Sequence, residues 1–190
     1  MLPRRFVLPV AMLVLGGMVV LSLRSHAADA AADAAKAKSA RIERGRYLVQ
    51  VTSCGDCHTP GTFYGTPDPA RALSGSELGW KGPWGVSYAA NITPDLDTGI
   101  GYWTEAELAK TLRSGLRPDG SALLAPMPVA STMMLSEADA TAIATYLLSL
   151  KPVSHEVPKA LKPGVEPKGP VIEFPAPPAW DAPRAPAAGK

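Results

Sequence analysis

Apolar positions in this chain form one long run, three helical stripes and two stretches without a steady period. The run, Phe6 to Leu23, covers 18 mostly apolar residues behind Arg4 and Arg5 and ahead of Arg24. Ser25-His26-Ala27 then has the small-x-small form of an export cleavage site, with Ala27 as the last residue removed. The same run is long enough for an uncleaved anchor across a thin bilayer. Residues 1–27 are therefore expected to be a signal peptide or an N-terminal membrane anchor, with any membrane association through residues 6–23. In both forms the two arginines hold the N-terminus inside, so the chain beyond the run lies outside the cytoplasm.

Residues 28–38 are nearly all Ala, Asp and Lys and read as a solvated linker. Ser39 is placed to cap a helix to about Thr52, with Ile42, Gly45, Val49 and Thr52 along one face. Thr104-Glu105-Ala106-Glu107 has the spacing of a capping box, which predicts a short helix through Leu108 and Leu112 to about Ser114, stopped by Gly115. Ser136 predicts a last helix to about Leu150, with an apolar stripe of Ile143, Tyr146, Leu147 and Leu150 and with Pro152 beyond it. These stripes predict core packing, and Gly45, lacking a side chain, allows a close helix crossing with Tyr146 lying against it. Pro60 to Tyr102 is rich in Gly, Pro, Trp and Tyr and reads as a long irregular loop. Pro152 to Lys190 holds 10 of the 20 prolines, so residues 152–190 are expected to be an extended tail of polyproline II character. That tail is either a solvated extension or an arm for a partner. The expectation is an all-α fold: one domain, residues 39–151, with three main helices and irregular loops.

Charge narrows the function. The formal balance is +2, but Arg4, Arg5 and Arg24 are the only ionisable residues before Ala28 apart from His26; without them it is −1. A near-neutral domain gives no support to nucleic-acid binding.

The chemistry sits in Cys54-Gly55-Asp56-Cys57-His58. This is the C-x-x-C-H pattern of covalent c-type haem attachment: two thiols add to the haem vinyl groups, and the adjacent histidine supplies the proximal iron ligand. A thioredoxin-like dithiol would want a βαβ pattern, which is lacking. A zinc site would need further ligands, for which only His26 and His155 remain as strong candidates. Both cysteines are consumed, leaving none for a disulfide. One motif means one covalent haem, handling one electron at a time.

The order helix, haem motif with Thr59-Pro60, loops, Met-Pro element and C-terminal helix resembles class I cytochrome c. Asn91-Ile92-Thr93-Pro94-Asp95, Gly99-Ile100-Gly101-Tyr102-Trp103-Thr104, Leu112-Arg113-Ser114-Gly115, Pro118-Asp119-Gly120 and Pro126-Met127-Pro128 narrow the likeness. They resemble the haem domains of cytochrome c subunits of bacterial membrane-bound alcohol and aldehyde dehydrogenases, over residues 42 to 153. The resemblance implies a class I cytochrome c fold and a periplasmic electron carrier; those subunits carry several haem domains in a row, whereas the single motif here gives a monohaem chain. It further implies a dehydrogenase partner as donor and a respiratory acceptor such as a quinone or terminal oxidase. Such a chain is not itself an enzyme, because substrate oxidation usually removes two electrons and one haem cannot store both.

For the distal ligand, Met127, Met133 and Met134 remain once the export segment is set aside. Met127 lies between two prolines that restrict its backbone, and the family pattern places its axial methionine in this element. Met133 and Met134 read better as core fillers, and His155 as a surface histidine. A methionine ligand raises the potential and leaves no open coordination site. The alternative is a haem enzyme or gas sensor with an open or labile distal site. The second ring nitrogen of His58 should donate to a backbone carbonyl, which by family spacing falls near Pro69 to Arg71. Asn91, Trp84, Tyr88 and Arg113 are candidates for haem-face or propionate contacts, each equally readable as loop structure or surface charge. Asp95-Leu96-Asp97-Thr98-Gly99 is read as a turn rather than a calcium loop, because Ala106 stands where a closing glutamate would be needed.

Overall fold

The computed structural model describes residues 8–175, with side chains from Ala28 onward. The first seven residues, the side chains of the apolar run and the cleavage site, and tail residues 176–190 lie outside the described residues. Among the described residues no helix is long and apolar enough to cross a membrane.

The chain divides into two compact units between Ala40 and Arg41. Helix α1 (Leu8–Val51) runs through this boundary. In the first unit, residues 28–40 are helical and exposed throughout. Ser39 lies inside α1 and does not start it. The expected cap is overridden because the preceding Ala-rich stretch contains no Gly or Pro, and alanine is the strongest helix former.

In the second unit, the last turns of α1 bury Gly45, Leu48 and Val49 and half-bury Ile42, whereas Thr52, expected on the same face, lies beyond the helix and is exposed. The haem motif forms a helix of its own, α2 (Cys54–His58). Helix α3 (Glu105–Ser114) opens on a complete capping box: Glu107 N–H donates to Thr104 Oγ1 at 3.2 Å, and Thr104 N–H to Glu107 Oε2 at 2.8 Å. It ends at Gly115, whose φ of 71° suits glycine. A single turn, α4 (Val129–Thr132), follows the Met-Pro element. Helix α5 (Glu137–Leu148) is capped by the Ser136 hydroxyl, which accepts from Asp139 N–H at 3.1 Å.

These helices enclose one core, in which Leu48 and Val49 of α1 meet Leu108 and Ala109 of α3 and Ile143 and Leu147 of α5, with Leu73 and Ile100 from the loops. Gly45 sits at the α1–α5 crossing. A β-carbon there would lie 2.0 Å from the Ala142 carbonyl oxygen and 2.6 Å from Tyr146 Cβ, so only glycine permits this approach.

The all-α expectation needs one correction. A three-stranded sheet in the order β2-β1-β3 is formed by β1 (Gly79–Gly82), β2 (Gly85–Tyr88) and β3 (Val171–Glu173). β1 and β2 form an antiparallel hairpin inside the stretch expected to be irregular, and β3 pairs parallel with β1 from within the tail. Leu161 bridges the outer edge of β2 through mutual bonds with Val86 of 2.8 and 2.9 Å. Phe174 packs 5.3 Å from Trp84, ring centre to ring centre. The tail through Pro175 has no helix and turns at 163–164, and it is laid against the domain through Leu161 and β3.

Candidate functional site

The motif cysteines and histidine occupy one helical turn. It follows Ser53, whose φ of 56° turns the chain sharply after α1. Cys54 and Cys57 are both free thiols and both half-buried. Burial pushes both thiols above their ordinary value. At Cys54 the Thr52 hydroxyl, 3.3 Å from the sulfur, opposes that shift.

His58 is oriented from its far side. Its Nδ1 lies 2.7 Å from the Ala90 carbonyl oxygen, so the ring proton sits on Nδ1 and donates to that oxygen. Burial holds the ring's pKa below its ordinary value, with the Ala90 bond opposing, and this favours the neutral imidazole. Nε2 makes no hydrogen bond among the described residues and keeps its lone pair for a metal.

A carbonyl acceptor was therefore rightly expected, but its position was not. Pro69–Arg71 forms a short 3₁₀ turn capped by Asp68, and Arg71 there donates to Asp68 and Glu77 at 2.8 and 3.1 Å. The acceptor lies 32 residues beyond His58, because the hairpin returns the chain to the ring.

The backbone around His58 is pinned as well. Gly75 N–H donates to the His58 carbonyl at 2.8 Å, and Ser76 N–H to the Ala89 carbonyl at 3.0 Å. Leu73, buried yet at φ 62°, is held through both backbone groups: its N–H donates to Thr59 Oγ1 at 3.1 Å, and its carbonyl accepts from Ile92 N–H at 3.0 Å. A bulky residue in the left-handed region costs about 1–3 kcal/mol and persists where its surroundings over-determine it. Sequence reasoning missed Leu73, since nothing in its residue type signals that conformation.

Met127 is half-buried in the turn before α4, its N–H donating to the Leu124 carbonyl at 3.1 Å. The Ser87 hydroxyl donates to the Ala125 carbonyl, two residues before Met127. Strand β2 thus contacts the methionine loop through Ser87 and leads directly to Ala90 behind His58. Met133 and Met134 are not core fillers: they are 51% and 84% exposed, at the end of α4 and in the turn before Ser136.

The other named residues have mostly structural partners. Asn91 is buried, its amide donating to Thr98 Oγ1 at 3.0 Å and the Val153 carbonyl at 2.8 Å, and its Oδ1 accepting from Thr93 N–H and Oγ1. These bonds occupy both ends of its amide, so it is loop structure. Trp84 Nε1–H donates to the Trp80 carbonyl at 3.2 Å, and Arg113 lies 4.0 Å from Glu137. Tyr88 ends β2, half-buried. Asp95 Oδ1 accepts from the Thr98 N–H and hydroxyl, closing the turn read from its sequence. His155 is not a surface histidine: its side chain is 10% exposed, because the tail turns it inward. Its Nδ1 lies 2.8 Å from the Ser74 carbonyl oxygen and its Nε2 2.9 Å from Glu77 Oε1.

The donor set fits a covalent haem. Two free thiols stand one helical turn apart, beside an imidazole whose metal-binding nitrogen is unbonded and whose other nitrogen is anchored.

No protein-family model matches the chain. It is 36% identical over 120 residues to a subunit of the nicotinate dehydrogenase of Pseudomonas putida, covering 63% of this chain and 9% of that protein. It is 38% identical over 125 residues to the cytochrome c subunit of a quinone alcohol dehydrogenase of Gluconobacter oxydans, covering 65% and 24%. To a diheme c-type cytochrome of Cereibacter sphaeroides it is 39% identical over 109 residues, covering 55% and 34%. The matched region thus spans about a third or less of these relatives' own length. The chain is thus similar to the cytochrome c subunits of bacterial dehydrogenases and to a diheme c-type cytochrome.

Proposed function

We propose that this c-type cytochrome carries single electrons in the periplasm, from a dehydrogenase partner to a respiratory acceptor, through one haem in a class I fold. Residues 1–27 serve export or anchoring, residues 28–38 act as a linker, and residues 39–151 form the haem domain, against which the described part of the tail packs. The observation that carries this reading is the joint geometry of the motif: free Cys54 and Cys57 in one turn with His58, whose Nδ1 is committed to Ala90.

The haem iron supplies the one-electron chemistry. Cys54 and Cys57 would hold the group covalently, and His58 Nε2 and the Met127 thioether would be its iron ligands. Ala90 fixes the tautomer and the ring plane of His58. The prolines at 126 and 128 restrict Met127, and Ser87 ties its loop to β2. With His58 and Met127 both on the iron, no site would remain there for substrate, so the chain would act as a relay, with the two-electron chemistry left to the dehydrogenase. The alcohol dehydrogenase cytochrome subunit among its relatives supports that partnership.

A pyridine haemochrome spectrum of the purified protein should show one c-type haem per chain. Adding carbon monoxide to the reduced native protein should leave the Soret band unchanged at neutral pH. Rapid and complete binding would replace the relay by the haem enzyme or sensor with an open site.

A further inference from the structure

Resting on the haem reading and deepening it, we propose that tail segment 153–161 is a positioning element for the proximal histidine, fixing the Ala90 carbonyl that orients the His58 ring.

Ala90 has no side chain able to hold itself in place; its neighbours hold it, and the tail holds them. On one side, Asn91 donates to the Val153 carbonyl at 2.8 Å, while Val153 N–H donates to Thr93 Oγ1 at 3.1 Å. On the other, the Ala89 carbonyl accepts from Ser76 N–H, and Ser74 receives His155 through its carbonyl at 2.8 Å. Between them lies Gly75, whose N–H donates to the His58 carbonyl. A β-carbon on Gly75 would be 2.6 Å from Val157 Cγ1, 2.7 Å from the Ala89 oxygen and 2.9 Å from the Ala90 carbonyl carbon. Val157 therefore packs at the very point where the two stretches flanking His58 meet. Leu161 then closes the edge of β2 just upstream of Ala89.

The tail thus contacts both stretches around Ala90, at Ser74 and Gly75 on one side and at Asn91 and Thr93 on the other. A histidine that ligates a metal is set by the acceptor at its second nitrogen. An acceptor held only by neighbours is as rigid as what backs them, and here the backing comes from more than 60 residues away.

The test is hydrogen exchange by NMR on the full-length, haem-loaded protein, comparing wild type with His155→Ala and the milder Val157→Ala. The His58 Nδ1–H and the Gly75 and Ser76 amides should exchange at least about tenfold faster in either variant, while amides in the middle of α5 keep their wild-type rates. Glu166→Gln, which alters only the exposed Lys81–Glu166 pair further along the tail, should change none of them. Unchanged His58 Nδ1–H exchange in both variants would overturn the proposal. So would an equal acceleration in α5, which would mark general destabilisation. A haemochrome assay on the same samples separates the two readings: absence of covalent haem refutes the haem reading, whereas the ring exchange judges the tail.

Discussion

Replacing Gly45 by Ala should loosen the α1–α5 crossing, although alanine is the better helix former. The added β-carbon would lie 2.0 Å from the Ala142 carbonyl oxygen and 2.6 Å from both Ala142 C and Tyr146 Cβ. Two of these three atoms are backbone, so no side-chain rotation relieves the clash. The helices must separate by roughly 1.5 Å to bring the closest of these atoms to ordinary contact near 3.5 Å. Leu48, Val49, Ile143 and Leu147 surround the crossing in the core. If each loses contact worth about one methylene, at about 0.8 kcal/mol apiece, the cost is about 3 kcal/mol. The gain in helix propensity returns about 1 kcal/mol, leaving a net loss of about 2 kcal/mol. For a protein of this size that lowers Tm by about 4–8 °C. Thermal unfolding of the haem-loaded variant, followed by circular dichroism, would show it. Gly169→Ala is the control, since a β-carbon there meets only the Glu77 carbonyl oxygen at 3.9 Å. A Tm for Gly45→Ala equal to or above wild type would refute the packing argument.

Two further predictions concern charge and the distal ligand. Arg44 donates to Asp139 at 2.9 Å and holds that carboxyl below its ordinary value. A carboxylate depressed in the folded state stabilises above the unfolded value, near pH 4, and loses that contribution as pH falls through the lower folded value. The wild-type advantage over Asp139→Asn in urea midpoint should therefore be steady from about pH 5 to 8 and shrink below about pH 4; an advantage that grows in acid would contradict the pairing. Replacing Met127 by Ala should admit carbon monoxide to the reduced protein and lower its potential. An unchanged spectrum and potential would remove Met127 from the iron.

Local signals were legible because they depend on near neighbours. The capping box at Thr104, the Ser136 cap and the Gly115 stop each involve residues within a few positions, and the structure forms all three. The Gly45–Tyr146 approach was also readable, since an apolar face with a glycine in it invites a close partner. The hairpin was there to be found: Trp80 and Val86-Ser87-Tyr88 flank the two residues Pro83 and Trp84, a strand-turn-strand pattern hidden by the surrounding glycines. What could not be read were the distant pairings. Ala90 behind His58, Val153 on Asn91 and β3 beside β1 depend on where the loops travel, and alanine or valine carries no sign of its partner. His155 was misread for the same reason: a proline-rich neighbourhood suggests solvent, yet its side chain faces Ser74 and Glu77.

The tail also imposes an order of events. A chain made and threaded N-terminus first presents Cys54 and Cys57 long before Val153 to Phe174 have emerged. The contacts that back Ala90 join residues 62 and 81 positions apart, and such non-local closures form late. Until then the Ala90 carbonyl behind His58 lacks that backing, while the helix carrying the two thiols is already complete. Loss of the tail would then register as a loosened His58 ring, while the three-helix core persists.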